Sequence, residues 1–262
     1  MKNSLQTGKP VGCEVVLPEK KLDEFILVRL NMTDRPVTRP FQEMWENMAK
    51  STFKQIPEEK RQRVLREAAR LFAERGFSAT DVAELAKRAG VSKGSLYTYF
   101  ESKEDLYLHV CEDGLARSRS AVYGEMDPQW DIYRQVEHIF RQGIDFALKH
   151  PEYVRLYLTA SAPGKEHFST KVSVDVEKHT ADHLKEQIQR AQSEGTVRGD
   201  LDPKLGAFFI NSLYIIVVSS VVSKHFQNRL KEYFEIKGPL KGRRLEENLS
   251  SIIKEIHRFL RP

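Results

Sequence analysis

The sequence predicts an all-α protein, an N-terminal three-helix helix-turn-helix domain joined to a larger C-terminal helical bundle. Three observations predict it. The stretch Ala89-Gly90-Val91-Ser92-Lys93-Gly94-Ser95-Leu96-Tyr97-Thr98-Tyr99-Phe100 carries helix signals on both sides of a turn. Beyond Met126-Asp127-Pro128, apolar residues recur at helical spacing through almost the whole remaining chain. The interruptions, at His150-Pro151, at Pro163-Gly164 and from Gly195 to Pro203, carry the proline and glycine that end helices.

The turn organises the N-terminal part. Thr80-Asp81 opens a short helix, with Thr80 as its cap, and Val82, Leu85, Ala86 and Ala89 share one face. Gly90 follows where a C-terminal cap needs the left-handed conformation open to glycine. Ser92 then caps a second short helix, in which Leu96 and Phe100 lie together. Lys93, Gly94, Ser95, Tyr97 and Thr98 face the other way, and a solvated face would ordinarily carry several charges. Hydroxyls, an amine and a glycine instead suit phosphates, base edges and close backbone approach. By pattern alone, a helical hairpin with a polar face is the alternative.

Ahead of this pair, Pro57-Glu58-Glu59 starts a helix with acids where the dipole favours them. Val64, Leu65, Ala68, Leu71 and Phe72 form its stripe, Gly76 ends it, and Arg61 or Arg63 is placed toward the DNA backbone. After the pair, Ser102 and Asp105 form a capping motif for a fourth helix running through Leu106, Val110 and Leu115.

The wording here is closer than the pattern. The run Gly90 to Phe100, the following Ser102-Lys103-Glu104-Asp105-Leu106, and the upstream Ala68-Ala69-Arg70-Leu71-Phe72 with Gly76-Phe77 and Thr80 resemble the DNA-binding domain of the tetracycline-repressor (TetR) family. The resemblance covers about Glu58 to Val110 and none of the remainder. It implies DNA contacts at Ser92, Lys93, Gly94, Ser95, Tyr97, Tyr99 and Lys103, and favours a phosphate contact at Thr80. It also implies a C-terminal domain that binds an effector and forms a homodimer, with the fourth helix coupling the two parts.

Composition sets bounds on this reading. The net charge is +5, with 30 % charged and 40 % hydrophobic residues. From Glu58 to Val110 ten Lys/Arg stand against nine Asp/Glu, so phosphate attraction must come from placement rather than bulk charge. Cys13 and Cys111 match no metal or redox spacing, which suits a reduced, cytoplasmic protein. The apolar run Leu205 to Val222 is interrupted by Asn211, Ser212, Ser219 and Ser220, and reads as a buried helix rather than a membrane span.

In the C-terminal part, Trp130 to Lys149, Glu152 to Ala160, Lys165 to Ser193, Lys204 to Phe226 and Leu245 to Leu260 read as helices. The Lys165 to Ser193 helix is polar, with sparse apolar positions at Val172, Val176, Leu184 and Ile188. Lys204 to Phe226 is apolar on nearly all sides and needs cover on all sides. The family's four-helix dimer interface would supply it, with Phe208, Phe209, Ile215, Ile216 and Val218 as candidates. Effector-pocket candidates are His138, Tyr153, Tyr157, Asn211 and Tyr214, for a small hydrophobic effector.

No nucleophile elbow, phosphate-cradling glycine loop or Cys-His signature occurs, so an enzyme is not expected, nor a cofactor. His179 and His183 share a helix face but lack the glutamate of the zinc-protease motif, and no metal site is assigned. Residues 1–47 mix seven basic and seven acidic residues with four prolines and show no sustained period. They are expected to be an upstream-extended start, Met48 being a natural one, or a disordered tail. Residues 48–110 are then the DNA-binding domain and 111–262 the effector-binding and dimerisation domain. The expected function is a ligand-responsive regulator, a repressor that binds a pseudo-palindromic double-stranded operator as a dimer and is released by its effector. It would lie at the nucleoid when DNA-bound.

Overall fold

The structure, a computed structural model, describes residues 51–160 and 166–262, with the side chains of residues 160–176 left aside. The expected N-terminal extension (1–47), the Met48 start and the Pro163-Gly164 break lie outside the described residues, as do the side chains of Val172 and Val176. Asn47–Pro262 form one compact unit.

Among the described residues there are eleven helices and no strand. They are α1 (Ser51–Gln55), α2 (Glu58–Ala79), α3 (Val82–Ala89), α4 (Lys93–Tyr99), α5 (Lys103–Tyr123) and α6 (Ile132–Lys149). Then follow α7 (Pro151–Ala160), α8 (Glu166–Ser193), α9 (Pro203–Ser220), α10 (Lys224–Tyr233) and α11 (Arg243–Leu260).

The caps explain the boundaries. Gly90 takes φ 69°, ψ 36°, and its N–H reaches back to the carbonyls of Ala86 and Lys87, closing α3. Ser92 Oγ accepts from the Ser95 N–H at 2.9 Å and starts α4. Ser102 Oγ accepts from the Asp105 N–H at 3.0 Å, while the Asp105 carboxylate accepts from the Glu101 N–H at 2.9 Å. One cap differs from expectation. Asp81, not Thr80, caps α3, its carboxylate accepting from the Ala83 N–H at 2.6 Å. Thr80 closes α2 instead. Gly76 breaks the helical path of α2 at φ 75°, and Thr80 is buried against that break.

The expected single helix from Lys204 to Phe226 is two. α9 stops at Ser220, a buried residue whose hydroxyl donates to the Val217 carbonyl at 2.6 Å, and Ser223 precedes a new helix, α10. The short α1 was also missed, since five residues are too few to show a period.

Two apolar clusters hold the fold. The first centres on Phe72, Leu85, Leu96, Phe100 and Tyr107 and takes in Phe146, Tyr153 and Leu156 from α6 and α7. Helices on both sides of the expected boundary at residue 110 therefore share one core. The second centres on Val136, Phe140, Ile188, Ile210 and Leu249, where α6, α8, α9 and α11 meet. By length and composition α9 is apolar enough to cross a membrane, yet here it packs against α6, α8 and α10 through residues such as Ile210 and Val217.

Candidate nucleic-acid interface and effector cavity

α4 stands on the surface, held from beneath by its apolar side. Leu96 and Phe100 are buried as expected. α1 braces the same helix. Phe53 lies 4.7 Å from Phe100 and 5.5 Å from Tyr99, ring centre to ring centre, and Thr52 Oγ1 donates to the Thr98 carbonyl at 2.9 Å. Thr52 and Phe53 are therefore site-supporting residues that the sequence reading did not single out. The outward face holds Ser92, Lys93, Gly94, Tyr97 and Thr98, all exposed, with Ser95 half-buried. Tyr97 is 44 % exposed, and no carboxylate occurs anywhere in α4.

Two expected contacts do not reach this face. Tyr99 is buried, packed on Phe53 in the core, because its position falls on the Leu96 side of the helix. Thr80 is 3 % exposed, and its hydroxyl donates to the Gly76 carbonyl at 2.8 Å, so it faces inward. Arg61 pairs with Glu58 and donates to the Lys54 carbonyl at 3.2 Å, tying α2 to α1. Lys103 Nζ donates to the Ser78 carbonyl at 3.2 Å and sits 4.7 Å from the Phe77 ring centre.

A cavity of about 160 Å³ opens among α5, α6, α7, α8 and α9. Tyr153, Tyr157, Asn211 and Tyr214 line it, four of the five expected residues. His138 does not. It packs 5.2 Å from the Trp130 ring, because its position on α6 points away from the cavity residues Ile139 and Phe146. Glycines make room for two of the tyrosines. A Cβ on Gly114 would stand 2.4 Å from Tyr153 Cδ1, and one on Gly143 2.4 Å from Tyr214 Cε2.

The cavity's polar groups are few. The Glu177 carboxylate accepts from the Tyr157 hydroxyl at 3.1 Å and from Asn211 Nδ2 at 3.0 Å. Burial and then the Glu177 charge push the Tyr157 phenol up to about 12. The Tyr153 hydroxyl donates to Asp113 at 2.5 Å. Burial, followed by the Asp113 charge, raises its phenol well above the usual range. Cys111, also on the wall, has its thiol pushed up to about 12 by burial. His183 packs on Tyr123 at 5.7 Å, and no third metal ligand joins it and His179 among the described residues.

On the outer side of α9, Phe208 is 66 % exposed and Phe209 48 %, with Leu205 and Leu213 also exposed and Ile216 half-buried beside them. Phe209 meets Phe259 of α11 at 5.7 Å. The expected interface residues divide here. Val218 is buried in the first cluster and Ile215 lines the cavity, since both lie on the inner side of α9.

This arrangement defines a helix-turn-helix protein with an attached helical bundle that encloses a cavity. Residues 64–110 match the family described as bacterial regulatory proteins, tetR family. The HTH-type transcriptional repressor KstR2 of Mycolicibacterium smegmatis is 31 % identical over 172 residues, spanning 59 % of this chain and 75 % of that protein. The chain belongs to the tetR family and is a DNA-binding transcriptional regulator. Among solved structures, a TetR family transcriptional regulator from Chloroflexus aurantiacus has the same fold at a TM-score of 0.57 and 20 % identity, covering 82 % of this chain and 99 % of that one. AibR, solved in complex with isovaleryl coenzyme A and operator DNA, matches at a TM-score of 0.56 and 18 % identity, over 76 % of this chain and 98 % of its own.

Proposed function

We propose that this regulator is a repressor that binds a pseudo-palindromic operator as a homodimer and is released by a small, mainly apolar effector. The observation that carries the DNA part is the outward face of α4. It presents Ser92, Lys93, Gly94, Tyr97 and Thr98 with no acidic residue to repel phosphate, on a helix braced from below by Phe53. Tyr97 is the base-reading or phosphate-bonding residue, and Lys93 a phosphate contact. Gly94 admits the close approach of the DNA backbone. Ser92 and Ser95 supply hydroxyls at the start of the helix, and Arg61 and Lys103 contribute positive charge at the flanks.

The exposed apolar stripe Leu205, Phe208, Phe209 and Leu213 on α9, flanked by half-buried Ile216 and continued by Phe259 on α11, supports dimerisation through these two helices. Two α4 helices would then enter successive major grooves roughly 34–36 Å apart, or one further turn. A DNA partner supports a cytoplasmic protein that lies at the nucleoid when bound.

The cavity supports an effector site: a space walled by aromatic and aliphatic side chains with a few polar groups. AibR, with the same fold, binds isovaleryl coenzyme A together with operator DNA. α5 is the coupling element. It carries cavity residues Cys111, Gly114 and Tyr123, and its Arg117 donates to Gln62 of α2, two turns before Ala69. An effector that favours a different tilt of α5 shifts the separation of the two α4 helices and lowers operator affinity.

Footprinting the purified protein on DNA flanking its own gene tests the reading. Protection of an inverted repeat by a dimer is the expected result. Binding that shows no sequence preference, or a strictly single subunit on DNA, would overturn it.

A further inference from the structure

Inside the cavity one carboxylate makes no ion pair among the described residues. It belongs to Glu177 and accepts hydrogen bonds from two neutral groups, the Tyr157 hydroxyl and the Asn211 amide. Arg119 lines the same space from α5, where its charge acts on Tyr123 and His179. The hydrogen bonds fix where the carboxylate lies without cancelling its charge. A negative charge held in an apolar, partly closed space is costly, and a cation placed beside it recovers part of that cost.

The surrounding walls point the same way. Tyr123, Tyr153 and Tyr214 and the Phe146 ring line the space with Tyr157. Aromatic faces carry the negative side of their quadrupole outward and attract an organic cation with little loss of hydration at the site. The aliphatic residues Leu184, Ile210 and Ile215 fill the remainder and suit an alkyl or ring body. A carboxylate-headed ligand, by contrast, would bring like charge against Glu177.

We infer that the cavity selects a cationic amphiphile, an apolar body bearing an ammonium or similar organic cation, with Glu177 as the charge partner and the tyrosines as its cage. This rests on the reading of the cavity as the effector site and names the ligand class for it.

Three probes of equal chain length separate charge from apolar burial: decyltrimethylammonium, 1-decanol and decanoate. They are titrated by calorimetry, below micelle formation, into the full-length protein and into Glu177→Gln. The expected order is the cation tightest, by roughly tenfold over the alcohol, with decanoate weakest. Glu177→Gln should erase the cation's advantage and leave 1-decanol unchanged. Equal binding of cation and alcohol by the native protein, tighter binding of decanoate, or an undiminished cation preference in Glu177→Gln would each overturn the inference. The native-protein comparison stands even where the variant folds poorly. Operator affinity measured with each bound probe tests the effector reading separately. Release by decanol or decanoate without cation preference leaves that reading standing while the ligand class falls. Cation selectivity with no effect on operator affinity does the reverse.

Discussion

The Tyr153 hydroxyl, on the cavity wall, donates to the Asp113 carboxylate of α5 at 2.5 Å. Asp113 also accepts from Arg117 Nε at 2.7 Å, and the other arm of Arg117 donates to Gln62 of α2. A continuous polar path thus runs from the cavity into the helix that packs on α3. Losing a single hydrogen bond costs about 1 kcal/mol, so Tyr153→Phe and Gln62→Ala should each be mild. In urea unfolding, the double variant should depart from the sum of the singles by at least ~0.5 kcal/mol. Strict additivity would mean the path is a set of separate contacts.

DNA recognition is predicted to reside in exposed side chains and so to be separable from stability. Tyr97→Ala should weaken operator binding by roughly 10- to 100-fold, on the scale of a base contact of ~1–3 kcal/mol, with no loss of thermal stability. Lys93→Ala should weaken binding to all sequences alike and lower the salt-dependence slope by about 1. Anisotropy titrations on operator and scrambled duplexes at several salt concentrations check both.

The two sides of α9 make opposite predictions. Phe208→Glu alters an exposed residue and should give a folded single subunit by light scattering. Val218→Ala removes two methyl groups from the first core cluster. It should cost about 1–3 kcal/mol of unfolding free energy without altering subunit mass. If Val218→Ala dissociates the dimer and Phe208→Glu does not, the proposed face is wrong.

Alkaline pH should destabilise the fold. The Cys111 thiol is raised from 9.0 to about 12, and the Tyr157 phenol from 10.0 to about 12, in each case chiefly by burial. Both groups are neutral when protonated, and the folded state holds these protons at a pH where the unfolded chain releases them. Their stabilisation is therefore complete below the unfolded values and is lost as pH rises from 9.0 through about 12. Urea midpoints should fall steadily over that range. In a Cys13→Ser background, Cys111 should also resist thiol reagents at pH 8 until denaturant is added, because the thiolate is the reacting form. Rapid labelling of the folded protein would contradict the burial argument.

Much of the N-terminal site was legible because its signals are local. Gly90, Ser92 and Ser102 act on the backbone within a few residues, and the structure finds each in its expected capping role. Thr80 failed because two adjacent capping residues compete. Asp81 takes the cap once the break at Gly76 turns the Thr80 hydroxyl inward. Tyr99 turns inward because its position falls on the Leu96 side of α4, and the neighbour that covers it, Phe53, comes from a helix the sequence did not reveal. The cavity was named largely from polar and aromatic types on apolar helices. That method caught Tyr153 and Asn211 but could not tell His138 from them, nor find Glu177, whose place depends on α8 crossing α9.

By itself, then, the order of residues determined the helical class, the turn between α3 and α4 and the caps that bound them. Those depend on backbone conformations set by immediate neighbours. Only the packed chain decided which side of α9 faces outward, which tyrosines meet across the cavity, and that Glu177 stands there bonded to Tyr157 and Asn211. These relations join residues distant in sequence, and the free energy that fixes them is gained only when whole helices bury their faces against one another.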